Sequence, residues 1–179
     1  MTRKEVEEKL VGVGDYVKMD FLQQCLKKQL DFDTKKFVLT NLSKIYESRK
    51  MYLEAGKMIR IAADINTTYE GKMNDFVKSS ELFINGGNYG EADISLNKSF
   101  GLANENQKIS IKNRIKEAYK NRAKELLSKD KRRNAAEAYE KILTLDLNPL
   151  EKNESRQKLL ELYGKLGKIK EFYALKNFV

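Results

Sequence analysis

The sequence predicts an all-α fold, a right-handed α-solenoid of about five antiparallel helical hairpins, and three observations carry that prediction. One proline and ten glycines in 179 residues leave long stretches free of helix breakers. Apolar residues recur three and four apart rather than in alternation, which is the period of a helix face and not of a strand. Short polar or glycine-bearing segments interrupt these stretches at a nearly constant interval. The chain reads as a single repeat domain over residues 1–179, with units at roughly 1–35, 36–72, 73–107, 108–149 and 150–179.

Taken in order, the expected turns are Gly14-Asp15-Tyr16, Arg49-Lys50-Met51-Tyr52, Gly86-Gly87-Asn88-Tyr89, Lys131-Arg132-Arg133 and Gly167-Lys168-Ile169. A matching position follows each turn, held by Met19, Ala55, Ala92, Ala135 and Phe172, so successive spacings are 36, 37, 43 and 37 residues. Upstream of three turns a bulky residue is followed by a small or medium one four later and a bulky one three beyond: Leu39, Ser43, Tyr46; Phe76, Ser80, Phe83; Tyr119, Ala123, Leu126. Such residues share a helix face, and the small member lets a partner helix approach closely. Ala92, Leu96 and Ser99, or Ala135, Tyr139 and Ile142, form the answering stripe on the second helix, with Ser95 placed outside the contact. Tyr16, Tyr52 and Tyr89 are expected to plug the space between successive hairpins.

These residues resemble the tetratricopeptide repeat family. The unit Tyr119–Asn148, with NAAEAYEKILTLDLN, is most similar to its pattern, followed by Phe76–Ala103 with GGNYGEADISLNKSF and by Leu39–Ile65. The chain departs from that pattern in having no tryptophan, in Leu147 where a proline often ends a unit, and in a period above the family's usual length of about 34. The resemblance implies a stack of hairpins whose first helices line a concave groove, and a role in holding other proteins.

Composition narrows the chemistry. With no histidine, the chain has no Ser-His or Cys-His nucleophile, no imidazole proton shuttle and no histidine-based metal site. Cys25, the single cysteine, reads as a small core residue of a reducing compartment. Gly12-Val13-Gly14 and Gly86-Gly87 lack the further residues of nucleotide-binding loops and read as turns. Pairs such as Glu137 and Glu140, or Glu7 and Glu8, read as solvated helix faces. No catalytic residue, metal or cofactor is expected. The N-terminal MTRKEVEEKL shows no secretory signal, no run of eighteen apolar residues follows, and a cytoplasmic protein without a membrane span is expected.

Charge is uneven. Residues 1–103 carry 16 Lys+Arg and 15 Asp+Glu, whereas the rest of the chain carries 19 and 11. Eleven of those bases lie between Lys108 and Arg133, against Glu117, Glu125 and Asp130. In a tetratricopeptide-like stack, Lys116, Lys120, Asn121 and Lys124 face the groove and become clamps for a carboxylate or phosphate of a bound segment. Equivalent positions earlier in the chain hold Phe37, Thr40, Asn41 and Lys44, then Asn74, Val77, Lys78 and Glu81. The two-carboxylate clamp known in the family is matched only in part by Lys44 and Lys120, so that activity is not carried over. The expected function is a non-catalytic adaptor or scaffold holding a peptide or helix of a partner, plausibly acidic, in the groove. The alternative is nucleic-acid or anionic-surface binding through residues 108–133, with Lys129, Lys131, Arg132 and Arg133 on the phosphates. It is the weaker reading because nucleic-acid modules interleave stacking aromatics with their bases, and residues 120–138 contain none. At the C-terminal end, Leu166, Tyr173 and Phe178 are expected to leave an apolar patch that docks on a second copy or on a partner.

Overall fold

The structure of the protein, a computed structural model, describes residues 1–177. Among the described residues there is no strand, and ten helices follow one another: α1 (Arg3–Leu10), α2 (Asp15–Leu26), α3 (Phe32–Ser48), α4 (Tyr52–Ile65), α5 (Tyr69–Gly86), α6 (Tyr89–Phe100), α7 (Glu105–Ser128), α8 (Arg132–Leu143), α9 (Pro149–Leu166) and α10 (Ile169–Asn177). The all-helical class is thus as the sequence predicts. The chain divides into two compact units, Met1–Lys108 and Ile109–Val179.

Odd and even helices start by different physics. A side-chain oxygen accepts one of the orphan N–H groups at the start of α1 (Thr2), α3 (Asp31), α5 (Thr68) and α9 (Asn148), and Asn104 does the same for the Gln107 N–H in α7. In α1 and α9 the bond is reciprocal, since Glu5 and Glu151 reach back to the cap residue's own N–H. No side-chain cap begins α4, α6 or α8. Those helices are launched by the turn before them.

Four of these turns share one backbone geometry. Lys50, Gly87, Asp130 and Gly167 lie in the left-handed region, with φ of 60°, 76°, 52° and 67°. Each is bracketed by the two bonds of a Schellman motif. The N–H of the next residue reaches the carbonyl of Tyr46 (2.8 Å), Phe83 (2.8 Å), Leu126 (2.9 Å) or Tyr163 (3.0 Å), and the left-handed residue's own N–H closes on Glu47, Ile84, Leu127 or Gly164. The left-handed residues recur with the same 37, 43 and 37 spacing as the positions that the sequence picks out. The first turn differs: Val11 is extended and Gly12 takes the positive φ, 73°.

Packing follows chain order. In the first unit α3 lies against α4, α4 against α5 and α5 against α6, with α1 and α2 both on α3. Its core joins Val6, Leu22, Cys25, Val38, Leu42, Tyr46, Ala55, Ile59 and Leu82. Small residues set the approach, as expected: Ser43 Oγ donates to the Ala55 carbonyl at 2.9 Å, and Ser80 Oγ donates to the Ala92 carbonyl at 2.9 Å. Gly56 matters for the same reason, because a Cβ there would stand 2.7 Å from the Phe83 ring. In the second unit α8 packs on α9 and α9 on α10, and Ile115, Ala123, Leu126, Ala135, Ala138 and Ile142 are buried.

Three details of the expected packing are corrected. Ser95 is fully buried, with its hydroxyl 3.1 Å from that of Ser79, which itself donates to the Gly56 carbonyl. The buried stripe of α6 is therefore Ala92, Ser95 and Ser99, and Leu96 is only half-buried. Val77, expected on the groove, is also fully buried. Tyr16 plugs nothing: it is 71% exposed and covered on one face by the Arg49 guanidinium, 3.8 Å from the ring centre.

Candidate functional site

The candidate groove residues fall in both units, and the two groups have different environments. In the first unit, α1 and α3 enclose a cleft of about 320 Å³ lined by Arg3, Asp33, Lys36, Phe37, Thr40, Asn41 and Lys44. The four α3 positions read from the sequence, Phe37, Thr40, Asn41 and Lys44, thus line one depression. Helix spacing explains it, since 37, 40, 41 and 44 lie on one side of a helix. The Arg3 guanidinium sits 4.9 Å over the Phe37 ring and also binds Glu7 at 2.8 Å, so it forms a charged wall with an aromatic floor. Asn41 donates to the Phe37 carbonyl, leaving its amide oxygen to accept. Lys36 lies 3.8 Å from Asp75. Lys44 is exposed and makes no ion pair among the described residues. Lys78, on α5, is already engaged with Glu47 at 2.7 Å. Arg3 and Lys36 had no place in the sequence reading. Arg3 comes from α1, which the pattern of α3 alone does not reveal, whereas Lys36 lies one turn before Thr40 on α3 itself and is within reach of that helix's periodicity.

In the second unit the lysines read as clamps meet a carboxylate of their own chain. Glu151, third residue of α9, lies between Lys120 Nζ (2.8 Å) and Lys116 Nζ (3.0 Å), and its carboxylate also accepts the Asn148 N–H. All three side chains are 17–24% exposed. The hydrogen bonds from Lys120, then Lys116, then the Asn148 backbone pull the Glu151 carboxyl down to about 2, and the same contact raises Lys120. This arrangement joins α7 to α9. It leaves Asn121 and Lys124, both exposed, as the members of the set without a partner among the described residues.

The basic turn is partly neutralised. Lys129 pairs with Glu125, which also holds Arg122, and Arg132 Nε binds Asp130 at 2.7 Å. Lys131 and Arg133 are exposed and make no ion pair among the described residues. Nearer the end of the chain, α9 and α10 border a cleft of about 780 Å³ whose lining includes Arg156, Lys158, Glu161, Lys165, Phe172 and Lys176. Arg156 spans α9 to α10 by donating to the Leu175 and Lys176 carbonyls at 2.7–3.1 Å, which closes the end of α10. Of the expected apolar patch, Tyr173 is 56% exposed and meets Phe172 edge to face, Leu166 is half-buried, and Phe178 lies outside the described residues.

No group of three or more metal-ligating side chains converges among the described residues, and no helix there is long and apolar enough to cross a membrane. No protein-family model matches the chain, and no curated protein does either.

Proposed function

We propose that the protein is a non-catalytic adaptor of the tetratricopeptide type, a right-handed solenoid of helical hairpins that holds an acidic peptide or helix of a partner protein. The observation that carries this reading is the α1–α3 cleft, where a cation without an ion pair, Lys44, stands beside Thr40, Asn41 and the Phe37 ring. A carboxylate on Lys44 and an apolar side chain on Phe37 would be recognised together, which suits a short segment with an acid next to an aromatic or aliphatic residue. Lys78, Lys116 and Lys120 support the reading less, because each already has an acidic partner. The basic turn as a phosphate-binding surface is weaker for the same reason at Lys129 and Arg132. Self-association through α9–α10 rests on Tyr173 alone.

The test is fluorescence anisotropy with labelled short peptides that alternate glutamate with phenylalanine. Lys44→Glu should weaken binding and Lys27→Glu, Lys28→Glu should leave it unchanged. Equal losses from both would show that net charge alone is read. Sedimentation of the parent beside Tyr173→Glu decides self-association, which a uniformly monomeric parent would eliminate.

A further inference from the structure

Three strongly exposed apolar side chains lie close together in sequence where the α1–α2 loop runs into α2, and none of them lines the peptide cleft. Within seven residues, Val11 is 78% exposed, Tyr16 71% and Val17 60%. Isolated exposed valines are ordinary, but three large apolar groups within seven residues, one on the α1–α2 loop and two in the first turn of α2, are not. The segment runs from an extended Val11 through Gly12, with φ of 73°, to Gly14, the cap of α2, and Tyr16 and Val17 lie in that helix's first turn. These three exposed side chains make the segment's apolar tip.

Charge surrounds that tip. Arg49, at the end of α3, lies 3.8 Å over the Tyr16 ring, which brings the α3–α4 turn, with exposed Lys50 and Met51, beside the loop. Residues 9–18 and 49–51 carry Lys9, Lys18, Arg49 and Lys50 against Asp15 alone. An exposed set of valines and tyrosine with bases around it has the chemistry of a peripheral contact with an anionic bilayer. The apolar groups enter the headgroup region, the tyrosine ring suits the interface, and the bases meet lipid phosphates. A protein surface would instead be expected to offer this tip a pocket and its bases defined acidic partners.

We propose that the segment Val11 to Val17, the α1–α2 loop with the first turn of α2, is a membrane-surface contact that seats Val11, Tyr16 and Val17 among the headgroups of an anionic bilayer while Lys18, Arg49 and Lys50 face its phosphates. The apolar tip and the bases act together, since a single weak anchor gives only marginal, reversible attachment. None of the residues involved lines the α1–α3 cleft, so this contact stands or falls separately from the peptide reading.

The chain contains no tryptophan, so Tyr16→Trp at this exposed position places one reporter at the tip. With vesicles of phosphatidylcholine containing phosphatidylserine, the introduced indole should shift its emission to the blue and the protein should float with the lipid. Vesicles of phosphatidylcholine alone should do neither. Val11→Asp with Val17→Asp should abolish flotation, and Arg49→Glu with Lys50→Glu should weaken it by at least about tenfold, given roughly fivefold per base near an anionic surface. Reversing Lys27 and Lys28, at the other end of α2, should change it by less than about twofold. Unchanged indole emission with anionic vesicles overturns the proposal, as does flotation that survives the two aspartates or falls equally when Lys27 and Lys28 are reversed. A blue shift that tracks protein concentration without lipid would assign the tip to contact between copies and would equally end it.

Discussion

In both the α5–α6 and the α9–α10 hairpins the chain reverses at a left-handed glycine, Gly87 or Gly167, closed by the same two backbone bonds. Twelve residues apart across the first turn stand Ser80 and Ala92, buried and hydrogen-bonded; across the second, the equivalent pair is Leu160 and Phe172, both half-buried. No residue of α10 is fully buried. Turn and packing are therefore separable. The turn depends on a left-handed residue and on satisfying the last carbonyls of the helix, whereas close packing depends on a small residue on each side of the contact.

The largest expected effect breaks the packing and leaves the turn alone. Ala92→Leu, Ser95→Leu and Gly56→Ala each add atoms where a neighbour already stands, and each should lower stability by about 1–3 kcal/mol in denaturant unfolding. Phe172→Leu, at the matching place in the fifth hairpin, should change it by less than about 0.5 kcal/mol. Gly56→Ala is the most pointed of these, because helix propensity alone predicts a gain.

Breaking the turn should instead affect the two hairpins alike. Gly87→Ala and Gly167→Ala have open space around the new Cβ, so the cost is conformational, about 1–2 kcal/mol at both sites. Lys50→Gly and Asp130→Gly relieve the same strain and should raise the thermal midpoint slightly. A large difference between Gly87→Ala and Gly167→Ala would mean that packing feeds back on the turn.

Smaller again is the hydrogen bond beneath the small-residue contact. Ser43→Ala and Ser80→Ala keep the size and remove the hydroxyl, and each should cost about 1 kcal/mol in urea unfolding. Loss of much less would assign the approach to size alone.

The smallest effect concerns Glu151. Its carboxyl is held below the ordinary value, so the folded state favours the ionised form and the contribution is complete above the ordinary value of 4.5. As pH falls through the window from there to about 2, protonation removes it. Thermal midpoints of the parent should drop more steeply across that window than those of Glu151→Gln, and parallel curves would show that the Lys116–Glu151–Lys120 contact does not stabilise the fold.

Much of the repeat was legible in the sequence, and the reason is local. The turn needs Gly or a tolerated residue at one place, and close packing of the hairpin needs a small residue five beyond it, so Ala55, Ala92 and Ala135 mark their own spacing. Ser95 was not legible, because α5 is packed between α4 and α6, and polar faces of small residues are buried there in hydrogen bonds to one another. Tyr16 misled for the opposite reason, as the α1–α2 turn follows a different geometry and turns that ring outward. At the candidate site, the α3 residues were readable from one helix's periodicity. Arg3 in the cleft, and Glu151 between Lys116 and Lys120, were not, because each is a pairing between elements far apart in the chain, while Lys36, on α3 itself, could have been read from the same periodicity.

The neighbour-to-neighbour packing within each unit has a consequence for how the protein forms. Hairpins closed by turns of two or three residues bring their helices together at little loop entropy, and Ser43 with Ala55, or Ser80 with Ala92, can meet before distant parts of the chain are ordered. Low contact order of this kind predicts submillisecond to millisecond refolding, as for other proteins rich in local contacts. Nascent hairpins would already hold their partners while later ones are still being translated, so assembly can keep pace with synthesis at about 5–20 residues per second.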